Sequence, residues 1–316
     1  MRFTKCHGSG NDFPLVDARG LALSDAEWAA AARALADRAG PVGGDGLLLL
    51  TEGDDDCAFG MRMFNSDGSE AETCLNGLRC VARAGFEALG LERARVRLRT
   101  SVAEVALDTP LAPGVRTVEE RAGPAGLALR DWPMRLDAER LVEASVPPLS
   151  PALSFTAVSM PNPHLVHFTD RVDEAELVRV GLLCEAAPDW LPNRANVSFV
   201  EMRPGGVFVR THERGVGLTD ACGSAMAASV VAAGLTGRVP FGTELTVWNR
   251  GGPVRARAAS DLVVTLSGNA TFEWDGDVEV DLAAARAADL RVLRRREDEV
   301  AAWARAVADP GAVQGR

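Results

Sequence analysis

The sequence has one lysine, Lys5, in 316 residues. Pyridoxal phosphate chemistry needs a Schiff-base lysine, so Lys5 alone could serve it. Arginine and alanine are plentiful instead, which reads as compositional drift. The six cysteines contain no C-x-x-C pair and are too sparse for a disulfide scaffold. The four histidines, His7, His164, His167 and His212, fall into no metal-ligand spacing with the cysteines. A metal site and a bound cofactor are therefore both unexpected. No apolar run reaches the roughly 18 residues that suggest a transmembrane helix. No basic block marks a nucleic-acid footprint, and the net charge is −10. The N-terminus lacks a signal-like apolar stretch, so the expected location is cytoplasmic.

The 316 residues suggest roughly two domains, and a hydrophobic fraction of 47% is ample for two cores. Two cysteines organise both halves. Cys74 ends Phe64-Asn-Ser-Asp-Gly-Ser-Glu-Ala-Glu-Thr-Cys74, and Cys222 ends Thr211-His-Glu-Arg-Gly-Val-Gly-Leu-Thr-Asp-Ala-Cys222. Each closes a glycine-containing loop and opens an apolar helical run. Each thiol is thus predicted at a helix N-terminus, where free N–H groups lower a thiol pKa and bind carboxylates. The cysteines lie 148 positions apart. Asn11 and Asn162 are offset by 151, Gly46 and Asn196 by 150. Asn65 and Glu213 each stand nine residues before their cysteine. Ordered landmarks at nearly one offset indicate a duplicated domain, not a short-period array.

Residues 3–7 and 14–17 read as strands around a glycine-rich turn. Ser24 is the expected N-cap of a helix through Leu35. Strands follow at 46–51 and 59–64, then the Cys74 helix, ending near Gly85 or Gly90. Alternation marks strands at 96–100 and 103–107. Pro110–Gly114 is the strongest boundary signal. Beyond it, strands are expected near 127–136, a linker at 146–153, and a strand at 155–160. A helix is expected at 172–179, then strands at 195–201 and 206–211 leading to the Cys222 helix. Further strands are expected at 245–248, 254–258 and 262–266. Residues 281–307 read as a solvated terminal helix. Asp12, Asp45 and Asp67 read as turn residues and His7 as shaping its turn. His167 and His212 read as ordinary, and Cys6, Cys57, Cys80 and Cys184 as inert buried thiols.

Opposed thiols suit removal of an α-proton from one face of an amino acid and delivery of another to the opposite face. The carbanion then needs its carboxylate held by preorganised N–H donors. The motifs His7-Gly-Ser-Gly-Asn-Asp-Phe13, Phe64-Asn-Ser-Asp-Gly-Ser69, Cys74-Leu-Asn-Gly77, Asn162-Pro-His164, Asn196-Val197, Glu213-Arg-Gly-Val-Gly217 and Ala221-Cys-Gly223 together resemble the diaminopimelate epimerases. Members of that family are cofactor-independent enzymes of lysine and peptidoglycan precursor synthesis.

The resemblance implies an α+β fold of two pseudo-symmetric domains. Each would be a curved, mostly antiparallel sheet or barrel around a central helix, with the active site in the interdomain cleft. The expected divisions are 1–112 with 271–280, then 113–270, then a helical extension over 281–316. A last strand at 270–280 would return to the first domain. Cys74 and Cys222 would be the acid and base, tuned by His164 and Glu213. Asn65, Asn162, Asn196 and Arg214 would hold the distal end of the substrate, and Asn11 would touch it. Backbone N–H groups of Leu75, Asn76, Gly223 and Ser224 would take the reacting carboxylate, and Gly46 is counted among the binding positions. The partners implied are a small amino-acid substrate and a second copy in a homodimer, with no nucleic acid and no membrane.

Four positions depart from the family's usual pattern: Leu75, Pro161 and Ala225 where glycine is usual, and Leu218 where glutamate is. A racemase of the same fold acting on another amino acid, such as histidine, is the nearest rival. Arg214 and Asn196 argue against it. An isomerase of this fold with a carboxylate base is disfavoured by the two cysteines. A redox or zinc module built on Cys74, Cys80 and Cys222 is the rival from another class.

Overall fold

A computed structural model of the chain describes residues 1–308 apart from Pro133 and Pro161. The chain forms two compact units, one of Met1–Glu120 with the segment from Ser267, the other of Arg121–Leu266.

In the first unit the elements are β1 (Arg2–Gly8), β2 (Asn11–Asp17), α1 (Asp25–Ala36), β3 (Gly46–Glu52), β4 (Phe59–Asn65), β5 (Glu70–Ala71), α2 (Leu75–Leu89), β6 (Arg93–Arg97), β7 (Val102–Leu107) and β8 (Thr117–Ala122). β1 and β2 form an antiparallel hairpin, β2 runs parallel to β3, and β3 is antiparallel to β4. β4 then takes β5 antiparallel and β6 parallel, and β6–β7–β8 continue antiparallel. α2 packs against β1, β2, β3, β4, β6 and β7, so the sheet surrounds it.

The strand β3, Gly-Leu-Leu-Leu-Leu, shows why. Side chains alternate between faces of a strand, so an unbroken apolar run serves two covered faces. Leu48 and Leu50 join the core with Leu78, Val81 and Phe86 of α2, while Leu47 and Leu49 pack with Trp28 and Leu35 of α1. Each such buried side chain contributes roughly 1.5–3 kcal/mol. Ser24 caps α1 in a reciprocal capping box with Glu27, as its sequence position predicts.

The second unit contains β9 (Ala144–Val146), β10 (Ser150–Ser159), β11 (Pro163–Phe168), α3 (Glu174–Glu185), β12 (Asn196–Arg203), β13 (Gly206–Glu213), β14 (Gly217–Thr219), α4 (Gly223–Leu235), β15 (Leu245–Trp248) and β16 (Val254–Ala258), followed by β17 (Val264–Asn269). β10–β11 is an antiparallel hairpin, β11–β12 is parallel, and β12–β13 is antiparallel. β13 takes β14 antiparallel and β15 parallel, and β15–β16 is antiparallel. This is the pairing sequence of the first unit, step for step. α4 packs against β10, β11, β12, β13 and β16, in the place α2 holds among its strands. The duplication read from four landmarks is a duplication of topology.

Three expectations over secondary structure fail. The linker expected at 146–153 is a turn between paired strands: β10 begins at Ser150, which pairs with Val146 of β9. Among the described residues of 127–136 there is no strand. A single 3-10 turn at Leu129–Asp131 puts Leu129, Trp132 and Met134 into the core beside α3. The apolar spacing there came from an irregular plug. Residues 281–307 are not one helix either. β18 (Thr271–Asp281) pairs antiparallel with β1, and β19 (Arg286–Arg295) pairs antiparallel along β18. Only α5 (Glu297–Ala308) is helical. Asp281 Oδ1 accepts from the N–H groups of Ala283 and Ala284 and so starts the reversal. Once the chain turns back, the edge of β18 offers backbone partners, which override the helix preference of the alanines. α5 buries Ala302, Trp303 and Ala306 against Leu111, Ala112 and Val115. The last residues of the expected extension lie outside the described residues.

Candidate functional site

The landmarks that suggested duplication fall at matching element ends. Gly46 opens β3 and Asn196 opens β12; Asn65 closes β4 and Glu213 closes β13. Cys74 is the N-cap of α2 and Cys222 the N-cap of α4, both in extended backbone.

In the first unit, the N–H of Gly77 donates to Cys74 Sγ at 3.4 Å, and Sγ lies 3.7 Å from Asn11 Oδ1 as donor. The sulfur therefore caps the helix that follows it. Asn11 is placed by the two-residue turn Ser9–Gly10, whose φ values are 52° and 79°. Positive φ at both turn residues suits the twist of a tight hairpin, but costs a non-glycine residue such as Ser9 roughly 1–2 kcal/mol. Gly8 is required for a different reason: a Cβ there would lie 2.4 Å from the Asn76 carbonyl oxygen. The hairpin thus presses directly on the first turn of α2. Gly46 is similarly tight, since a Cβ would meet the Phe64 carbonyl oxygen at 2.3 Å. Asn65 Nδ2 donates to Ser69 Oγ and closes the turn between β4 and β5. The Leu75 side chain packs against the core around α2.

In the second unit, β11 and β12 set His164 opposite Asn196. His164 is fully buried, and burial holds its pKa down to about 3, with the Arg214 charge acting in the same direction. It is a neutral imidazole at working pH. Its Nε2 lies 3.1 Å from both Asn162 Oδ1 and Ser224 Oγ. Asn162 Nδ2 also donates to Ser224 Oγ, which stands 3.4 Å from Cys222 Sγ. His164, Asn162 and Ser224 thus form a chain ending on the Cys222 thiol. Asn196 Oδ1 accepts from the Arg214 N–H, and the Arg214 guanidinium donates to the Asn193 carbonyl. Glu213 accepts from the Thr219 hydroxyl.

The electrostatics of Cys222 differ from the expectation for a helix N-terminus. Burial pushes the thiol well above its ordinary range, and the Glu213 carboxylate pushes further. The Ser224 hydroxyl and the Ala225 N–H pull the other way and lose. Desolvation of a thiolate outweighs the favourable end of the helix here. Leu218 is partly exposed in β14 and Ala225 is buried in the first turn of α4. Pro161 lies outside the described residues.

Three further placements adjust the sequence reading. Asp12 is not a simple turn residue; it lies in β2 and pairs with both Lys5 and Arg38. Lys5 is buried, and its ammonium also meets the Gly43 carbonyl. Sequence reasoning passed over Arg79, whose guanidinium is completely buried one turn into α2. Its partners include Glu120 and Asn269, 41 and 190 positions away. The available signal was an arginine inside the apolar face Leu78-Arg-Cys-Val-Ala82. Among the described residues no group of three His, Cys, Asp or Glu side chains is arranged to hold a metal. No helix among them is long and apolar enough to cross a membrane.

The family model described as diaminopimelate epimerase matches residues 3–110 and 156–277. The chain belongs to the diaminopimelate epimerase family. It is 38% identical over 288 residues to a diaminopimelate epimerase of Clostridium acetobutylicum, covering 89% of this chain and 86% of that one. It is 38% identical over 295 residues to a diaminopimelate epimerase of Listeria monocytogenes, covering 89% of each. Among solved structures it resembles a predicted epimerase of Pseudomonas aeruginosa, with a TM-score of 0.66, 20% identity, and coverage of 89% of this chain and 99% of that one. A hydroxyproline epimerase of Agrobacterium vitis has a TM-score of 0.63 at 13% identity, covering 98% and 97%. Those two likenesses show the fold. Every candidate residue named above from Asn11 to Ser224 lies within the segments matched by the diaminopimelate epimerase model, whereas Glu120, β19 and α5 lie outside them.

Proposed function

We propose that this chain is an epimerase that interconverts LL- and meso-diaminopimelate by a two-base exchange at the α-carbon. The observation that carries the reading is the pair of cysteines capping α2 and α4, equivalent helices of a duplicated topology in this family. Cys222, buried and held protonated, is the proton donor of the resting enzyme. Cys74 is the acceptor. As a thiolate it takes the α-proton and becomes a thiol. The electron pair left on carbon takes the Cys222 proton on the opposite face, leaving a thiolate there. Configuration inverts, no electrons leave the substrate, and the reverse reaction exchanges the two roles.

The substrate's α-carboxylate is assigned to the N–H groups of Leu75, Asn76, Gly223 and Ser224. Such first-turn donors have no partner within their own helices. That placement stabilises the carbanion as charge moves toward the carboxylate. His164 and Glu213 act on Cys222: the neutral imidazole through Ser224, the carboxylate by its charge. Arg214, with Asn65, Asn162 and Asn196, is assigned to the distal amino-acid group, and Asn11 and Gly46 to the substrate side of the first unit. The same reading places the enzyme in the cytoplasm as a homodimer, which sedimentation of the full chain tests.

A substrate panel tests the function. Diaminopimelate should be turned over at least a hundredfold better in kcat/KM than histidine, proline or glutamate. A preference for a monocarboxylate would replace this reading by the rival racemase. Arg214→Ala should raise KM for diaminopimelate about tenfold or more, the scale of a lost charge-assisted hydrogen bond. It should change any monocarboxylate turnover much less.

A further inference from the structure

We propose that Arg79 is the positioning residue of the Cys74 half-site, clamping the first turn of α2 to the β1–β2 turn and so holding the sulfur and Asn11 in register. The proposal deepens the assignment of Cys74 as an acid/base group and rests on it for its functional meaning. Arg79 is completely buried. One arm of its guanidinium donates to Glu120 Oε1 at 2.7 Å, and Nε donates to the Asn269 carbonyl at 3.2 Å. The remaining arm, Nη2, reaches two places at once: Ser9 Oγ at 3.1 Å and Asn76 Oδ1 at 2.8 Å. Ser9 stands two residues before Asn11, and Asn76 two residues after Cys74. The arginine therefore grips both strands of chain that meet at the sulfur.

The surroundings are built for this fork. A Cβ on Gly268 would lie 2.5 Å from Arg79 Nε, so a side chain there would displace the guanidinium. Asn269 Oδ1 accepts from the Ser9 N–H at 2.7 Å, and Asn269 Nδ2 reaches His7, so the same cluster holds Ser9 in its left-handed conformation. Glu120 is fully buried and has Arg79 as its charged partner. Packing alone does not call for such a pair, because apolar residues of similar volume serve a core at least as well. The second unit makes the point internally. Ala227 follows Cys222 by the interval at which Arg79 follows Cys74, and it is fully buried in α4. The duplicated helix packs without an arginine there, so the fold does not require one.

The deciding experiment measures the alkylation rate of each thiol by peptide mass spectrometry, using iodoacetamide at pH 8 on the full chain. Arg79→Lys keeps a charge opposite Glu120 but loses the planar fork. In folded Arg79→Lys, Cys74 should react about threefold or more slowly, because Gly77 no longer presents its N–H squarely to the sulfur. Cys222 should keep its rate. Turnover per alkylatable Cys74 should fall about tenfold, mostly in kcat, as for groups displaced from their working geometry. If circular dichroism shows that Arg79→Lys does not fold, Ser9→Gly decides instead. It removes one acceptor of the fork in a turn that glycine adopts freely, and should slow Cys74 about twofold. An unchanged Cys74 rate in the folded variant overturns the proposal. So does a parallel change in both thiols, which marks general loosening. Thiol reactivity is read without substrate, so slowing of Cys74 alone in a chain that fails to epimerise diaminopimelate supports the clamp and rejects the functional reading.

Discussion

The two cysteine-capped helices are equivalent in topology and opposite in environment. α2 carries Arg79 and Arg83 on buried positions, and Cys74 is half-buried with a helix N–H on its sulfur. α4 is made of small and apolar residues, and Cys222 is buried, with a carboxylate nearby whose effect, together with burial, outweighs the Ala225 N–H. One framework thus sets two thiols in different surroundings, and at Cys222 burial and the Glu213 carboxylate raise the thiol pKa. A symmetric reaction coordinate does not need symmetric bases; it needs one group ready to accept and one ready to give. The difference arises from burial and neighbours, not from the helix ends, which the two sites share.

The largest expected effect tests whether both halves of the comparison are needed. Cys74→Ala and Cys222→Ala should each lower epimerisation about a thousandfold or more, within the range for loss of an acid/base group. Circular dichroism should be unchanged. Near-normal turnover in either variant would break the pairing.

The helices should also differ in tolerance. A Cβ on Gly85 of α2 would meet the Phe59 ring at 2.6 Å, and one on Gly234 of α4 would meet Phe241 at 2.5 Å. Phe59 is enclosed in the core, whereas Phe241 is half-buried and free to yield. Gly85→Ala should cost about 1–3 kcal/mol by overpacking. Gly234→Ala should be nearly neutral, because the gain in helix propensity offsets the contact. Equal losses in urea melts would mean the two helix beds are alike.

The smallest effect concerns the acidic neighbour. Glu213 raises the Cys222 pKa, so Glu213→Gln lowers it and increases the thiolate fraction at a given pH. Alkylation of Cys222 at pH 8 should quicken about two- to threefold. A slower rate would show that Glu213 serves Cys222 in another way.

Much of this arrangement was legible in the sequence. The Ser24 N-cap, the leucine run of β3 and the two cysteines at helix N-termini are local signals, readable within a few residues. The duplication was legible because landmarks at element ends keep their spacing when a topology is copied. What escaped was set by distant partners. β19 became a strand because β18 offered an edge, and 127–136 became a plug because α3 needed covering. The direction of the Cys222 shift depended on burial, which spacing does not report. Arg79 could be noticed as a charge on an apolar face, but its partners Glu120 and Asn269 could not be assigned.

The central claim is that two different groups exchange protons with one α-carbon. It is tested most directly by supplying a single diaminopimelate stereoisomer in D2O and following α-deuterium in both isomers during the first turnovers. The account predicts deuterium in the newly formed isomer while the remaining starting isomer stays largely protiated. Deuterium appearing equally in both from the outset, or the original α-hydrogen carried over into product, would contradict it.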